Sequence, residues 1–166
     1  DLARLATSSS AALEAVAAFV VDLYQLRSAA VLSHDAAAAL DWVQSLHADA
    51  KSCWVAGFSF GAWIGMQLLM RRPEVEGFIS IAPPANLYDF SFLAPCPSSG
   101  LIVHGERDAV VPPKDVNTLV EKLKTQKGIV IDQQIIPGAN HFFDGKLEPL
   151  METVTGYLDM RLANVR

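Results

Sequence analysis

No glycine precedes Gly57, although ten follow from that point to the end of the chain. A G-x-G-x-x-G run after a first strand is therefore missing, and with it the fingerprint of a dinucleotide-binding α/β protein. Cysteine is also scarce. Cys53 and Cys96 are the two in the chain, too few for a disulfide framework or a structural zinc site, which predicts a reducing, cytoplasmic setting. No continuous apolar stretch reaches 18 residues, so a membrane-spanning helix is not expected. Ala11 to Val21 has the look of a secretory core segment, but Glu14 interrupts it and no basic cluster precedes it. Positive charge is thin as well. The net charge is -5, and no basic run exceeds Arg71-Arg72. That balance argues against nucleic acid or an anionic membrane surface as partner.

What remains is greasy: 51% of the 166 residues are hydrophobic and 19% charged. Length and composition predict one globular domain over residues 1–166, with an atypical alanine-rich segment at 1–33. Because the chain opens on Asp1 rather than Met, a processed or trimmed piece of a longer protein is expected.

The rest of the chain is organised around Val55-Ala56-Gly57-Phe58-Ser59-Phe60-Gly61-Ala62. Gly57-x-Ser59-x-Gly61 has the spacing of a nucleophile elbow, in which a serine is pushed out above the end of a sheet on a sharp strand-to-helix turn. The rival reading is a glycine-rich turn with an incidental serine. The context favours the elbow: Ser52 to Ala56 is a short buried-strand run, and Ala62 to Met70 is apolar on nearly every face. Arg71 and Arg72 suit the negative end of that helix, and Pro73 stops it.

Elsewhere strands and helices alternate. Periodicity predicts a helix through residue 27, with Ser8 to Ser10 as caps, against a rival strand over Phe19–Tyr24. A helix over Ala36–His47 follows, capped by Ser33 or Asp35. Gly77–Ala82 reads as a continuous apolar strand buried on both faces, and Leu101–Val103 and Ile129–Ile136 read as further strands. Pro113–Lys127, with Gly128 as C-cap, reads as an amphipathic helix. A last helix carries Leu147, Leu150, Val154, Leu158 and Leu162. The pattern implies an open, three-layer parallel α/β sheet with right-handed crossovers.

In such a sheet, sites form at the carboxyl ends of the strands. Asp108 follows the strand 101–103, and His141 follows the strand 129–136. Either residue alone is better explained structurally, as a turn aspartate or a loop histidine. Together with Ser59, each after a different strand, they form a candidate nucleophile, acid and base. Serine needs an imidazole to take its proton, and the imidazole needs a carboxylate to fix its tautomer. Glu106 is the rival acid and Asp144 a weaker one. His104 is read as a polar residue at its strand's end.

These stretches, with Gly105-x-x-Asp108-x-x-Val111-Pro112 and Pro137-Gly138-Ala139-Asn140-His141-Phe142-Phe143, resemble the α/β-hydrolase superfamily, in particular its small dienelactone-hydrolase-like, serine-esterase branch. The resemblance covers roughly residues 36–163. It implies a truncated α/β-hydrolase core without a lid domain, with Ser59 as nucleophile, Asp108 as acid and His141 as base. Phe60 would supply a backbone N–H to the oxyanion hole, and Phe142 and Phe143 would join Phe60 in walling the substrate site. No metal and no cofactor are implied. The front of the chain departs from the family, whose earlier strands and second oxyanion donor are not evident before Ser33.

The expected activity is cleavage of small carboxylic esters or thioesters. The competing expectation is a catalytically weak or inactive remnant that serves as a binding or assembly module. If the early strands are absent, the strand leading to Ser59 becomes an exposed edge, and a homodimer that covers it is expected.

Overall fold

A computed structural model describes residues 16–19 and 29–163 of the chain. Its elements run β1 (Val16–Phe19), α1 (Ala29–Leu46), β2 (Trp54–Phe58), α2 (Phe60–Arg71), β3 (Gly77–Ile81), β4 (Gly100–Gly105), α3 (Pro113–Lys124), β5 (Ile131–Ile136) and α4 (Leu147–Leu162). The five strands form one parallel sheet in the order β1-β2-β3-β4-β5. The register places Phe58 beside Ile81 and Gly105 beside Ile136, so the β2, β3, β4 and β5 chains leave the sheet along one rim.

Alternation along the strands builds two cores. Val55, Phe78 and Ile102 face Leu40 of α1, Ile64 and Leu68 of α2, and Val116 and Val120 of α3. Trp54, Ile79, Leu101 and Val103 face the other way, against Leu150, Val154, Tyr157 and Leu158 of α4. The sheet is thus sandwiched, with three helices on one side and α4 on the other. Phe78 and Ile102 are wholly buried, and each such side chain contributes about 1.5–3 kcal/mol of burial. The result is the three-layer open parallel sheet that the sequence implied, and no lid stands over it among the described residues.

Several sequence expectations change. Val16–Phe19 is a strand rather than part of a helix; the rest of the helix expected up to residue 27 lies outside the described residues. β1 pairs with β2 in register from Val16↔Trp54 to Phe19↔Gly57. β2 is therefore an interior strand, and the exposed edge that motivated a homodimer is not there. Ser33 and Asp35 lie inside α1, which starts at Ala29, so neither caps it; Ser33 Oγ instead donates to Gln67 Oε1 on α2 at 3.4 Å. α3 ends at Lys124 with Thr125 as its C-cap, and Gly128, at φ 86°, makes a separate turn before β5. Among the described residues no helix is long and apolar enough to cross a membrane.

Candidate active site

Ser59 stands between β2 and α2 at φ 50°, ψ -120°, a conformation that non-glycine residues rarely adopt. Its own N–H donates to Ile81 O at 2.8 Å, which ties the elbow to the end of β3. A glycine is needed at position 57 because the turn is so tight. A Cβ on Gly57 would collide with the Gly61 carbonyl and lie 2.6 Å from Ala62 N. Phe60 begins α2, so its N–H is among those that a helix start leaves without an intrahelical acceptor.

Three side chains meet above this rim. His141 Nε2 lies 3.0 Å from Ser59 Oγ, and His141 Nδ1 lies 2.7 Å from Asp108 Oδ2. All three residues are buried. The other carboxylate oxygen, Asp108 Oδ1, accepts the N–H of Val110 at 2.9 Å and of Val111 at 2.7 Å. The carboxylate is thereby held by its own loop while it presents one oxygen to the imidazole. Neither rival acid meets the imidazole. Glu106 Oε2 accepts Gly138 N–H and braces the histidine loop, and Asp144 Oδ2 accepts from Asn140 Nδ2.

The two loops also bond to each other. Arg107 N–H donates to Ala139 O at 2.8 Å. Asn140 Oδ1 accepts the N–H groups of Phe142 and Asp144, curling the chain around His141. Phe143, at φ 56°, turns inward and is 1% exposed in the core against α4. The substrate-wall role expected for Phe143 does not hold, because solvent does not reach it. Phe142 is exposed, and Phe58 packs on His141 with ring centroids 5.2 Å apart. Phe58 was legible only as a variable position of the elbow motif. Its contact with the imidazole depends on how the β5–α4 loop folds back.

Neither cysteine is an activated thiol. A cleft of about 360 Å³ lies at the opposite, amino end of β2 and β3, lined by Leu40, His47, Cys53 and Glu74 among others. Burial pushes the Cys53 thiol above its ordinary range, with Glu74 and Glu76 adding to the effect. Burial does the same for Cys96. No group of His, Cys, Asp or Glu side chains among the described residues is placed to hold a metal ion.

The sequence profile of the dienelactone hydrolase family matches residues 6–158. The chain belongs to that family. An uncharacterized protein from Rickettsia prowazekii (strain Madrid E) is 52% identical over 128 residues, 75% of this chain and 54% of its own length. Among solved structures, a protein of unknown function from Agrobacterium tumefaciens, described as a candidate α/β hydrolase, is 68% identical. It matches with a TM-score of 0.81 over 84% of this chain and 64% of that one. A lidless α/β serine hydrolase from Xanthomonas campestris is 30% identical, with a TM-score of 0.67 over 84% of this chain and 59% of that one. The chain thus spans between about half and two thirds of the length of these relatives.

Proposed function

We propose that this chain is a serine hydrolase that cleaves small carboxylic esters or thioesters through an acyl-enzyme. The observation that carries the reading is the unbroken hydrogen-bonded line from Ser59 Oγ through His141 to Asp108, beginning on a strained elbow at the carboxyl rim of the sheet. Membership of a hydrolase family and likeness to serine hydrolases support it.

In this reading His141 Nε2 takes the Ser59 proton as Oγ attacks the ester carbonyl carbon, forming the Oγ–C bond. The oxyanion that develops is met by the Phe60 N–H, the donor that follows the nucleophile. Collapse breaks the C–O bond to the alcohol, and His141 gives that oxygen its proton. Water then attacks the acyl carbon while His141 takes its proton; the Oγ–C bond breaks, His141 returns that proton to Ser59 Oγ, and the acid leaves. Asp108 holds the imidazole and stabilises its charged form throughout. With no lid over the rim among the described residues, a small substrate reached from open solvent is the better fit.

The test is labelling by a fluorophosphonate together with turnover of p-nitrophenyl acetate. Ser59→Ala should abolish labelling and cut turnover by at least about 10³-fold, while circular dichroism stays unchanged. An alanine variant as fast as the parent would remove Ser59 from the mechanism.

A further inference from the structure

Phe60, Trp63 and Tyr88 form a continuous ring surface that starts at the residue after the nucleophile. Phe60 and Trp63 are one turn apart on α2, with centroids 5.7 Å apart. Tyr88 arrives from the loop after β3, 5.3 Å from Phe60 and 4.8 Å from Trp63. Fixed bonds hold the surface in place. Trp63 Nε1 donates to Asp89 O at 2.9 Å, Tyr88 N–H to Pro84 O at 3.0 Å, and Asn86 Nδ2 to Val110 O at 3.0 Å. The last bond ties this loop to the one that carries Asp108.

Core packing accounts for only part of the arrangement: Phe60 and Trp63 rest one side against the core that faces α1, α2 and α3. Phe60 and Trp63 are half-buried and Tyr88 is exposed, and exposed Leu87 and Val110 lie on the two loops that the Asn86 bond joins. A contiguous apolar surface at the mouth of a site is more often a binding surface than an accident of folding. No cation stacks on these three rings among the described residues. The cation–ring contacts found among the described residues belong to Arg161 on α4, and the Asp89 carboxylate is occupied by Ser91 N–H and Oγ.

We propose that this surface is the acyl subsite and that it selects neutral esters whose acyl group carries an aromatic ring. The inference rests on the reading of Ser59 as nucleophile, and the chemistry of that reading decides which half of the ester lies there. His141 must protonate the departing oxygen, so the alcohol lies on the imidazole side, where Phe58 and Phe142 pack at 5.2 and 5.1 Å. The oxyanion faces the Phe60 N–H. The acyl group is left the remaining direction, along the Phe60 side chain towards Trp63 and Tyr88. Three ring faces and edges within 6 Å of one another favour an aromatic guest over an alkyl chain of equal size, because ring quadrupoles pair in offset or edge-on contacts. Rings already held in place lose little freedom on binding.

The experiment compares p-nitrophenyl phenylacetate with p-nitrophenyl hexanoate, which share a leaving group and differ in the acyl half. The parent protein should favour the phenylacetyl ester by about 10-fold in kcat/KM, and Tyr88→Leu and Trp63→Leu should each bring that ratio close to one. A parent ratio at or below one, or a ratio that neither variant changes, overturns the proposal. Binding is read separately on Ser59→Ala by titrating phenylacetamide and hexanamide and following the Trp63 indole N–H by NMR. Phenylacetamide should shift that resonance at lower concentration than hexanamide. A shift without ester turnover in the parent keeps the subsite and sinks the nucleophile assignment. Turnover without any shift at Trp63 sinks the subsite alone.

Discussion

Ser59 and His104 show how differently this sheet treats two buried polar residues. Ser59 is strained and its hydroxyl faces the imidazole. His104 is wholly buried on β4, one register step from the rim, where Gln133 Nε2 donates to its Nε2 at 3.0 Å. Its Nδ1 has no partner among the described residues, and nor has Ser80 Oγ on the neighbouring strand. Such orphaned groups cost about 1–3 kcal/mol each. Burial holds the His104 pKa below its ordinary value, outweighing the opposite pull of the Gly105 backbone, Asp108 and Asn117. The unfolded chain therefore binds a proton more readily than the folded one. Stability is fully present above about pH 6.5, the unfolded value, and falls as the pH drops towards the lower folded value. The slope from this one group reaches at most about 1.4 kcal/mol per pH unit. Thermal melts from pH 8 to pH 5 should show a steeper decline for the parent than for His104→Leu. Equal slopes would show that the imidazole is not a source of the acid sensitivity.

At the scale of elements, the site depends on two loops that touch where a side chain does not fit. A Cβ on Gly105 would collide with the Ala139 carbonyl and lie 2.8 Å from Asn140 O, one residue before the imidazole. Gly105→Ala should push the β5–α4 loop outward and lengthen the 3.0 Å approach of His141 to Ser59. A misplacement of about 1 Å can cost about 10²-fold in rate. The expected result is a large fall in kcat and slower fluorophosphonate labelling, with the far-UV spectrum of the parent retained. Full activity in this variant would mean that the close approach is not needed. Ser59, Asp108 and His141 were legible in the sequence because each follows a different strand, on the rim where a parallel sheet gathers its loops. β1 was not legible. Ala and Val at residues 16–18 fit a helix as well as a strand by periodicity, and pairing with β2 decided the outcome. Phe143 misled for a different reason: its positive φ turns the ring into the core, a reversal that residue type does not announce. The Phe60–Trp63–Tyr88 surface joins residues from two separate elements, so no spacing rule reveals it.

Across the whole molecule, chemistry and cohesion sit at opposite ends of the sheet. At the amino end, Arg72 caps α2 and ties it to α1 and to the loop before β3: its Nη2 lies 2.6 Å from Asp41 Oδ1 and 3.0 Å from Gln44 Oε1, both on α1, and its Nε donates to Glu74 Oε1 at 2.7 Å. The Arg72 side chain is only 20% exposed, whereas Asp41 is 64% exposed, so solvent screens part of the attraction. Several bonds sharing one planar guanidinium are still worth more than an isolated surface pair, about 1–2 kcal/mol together. For a domain of this size that is about 3–6 °C in Tm. None of these groups reaches the rim where Ser59, Asp108 and His141 meet. Arg72→Ala should therefore lower Tm by that amount and leave kcat/KM for a p-nitrophenyl ester unchanged at 25 °C. Differential scanning fluorimetry run beside the ester assay checks both halves. An unchanged Tm would show that the network contributes nothing measurable. An activity loss at a temperature where the variant is fully folded would show that the two ends are coupled through α2, whose first residue is Phe60 and whose last is Arg71.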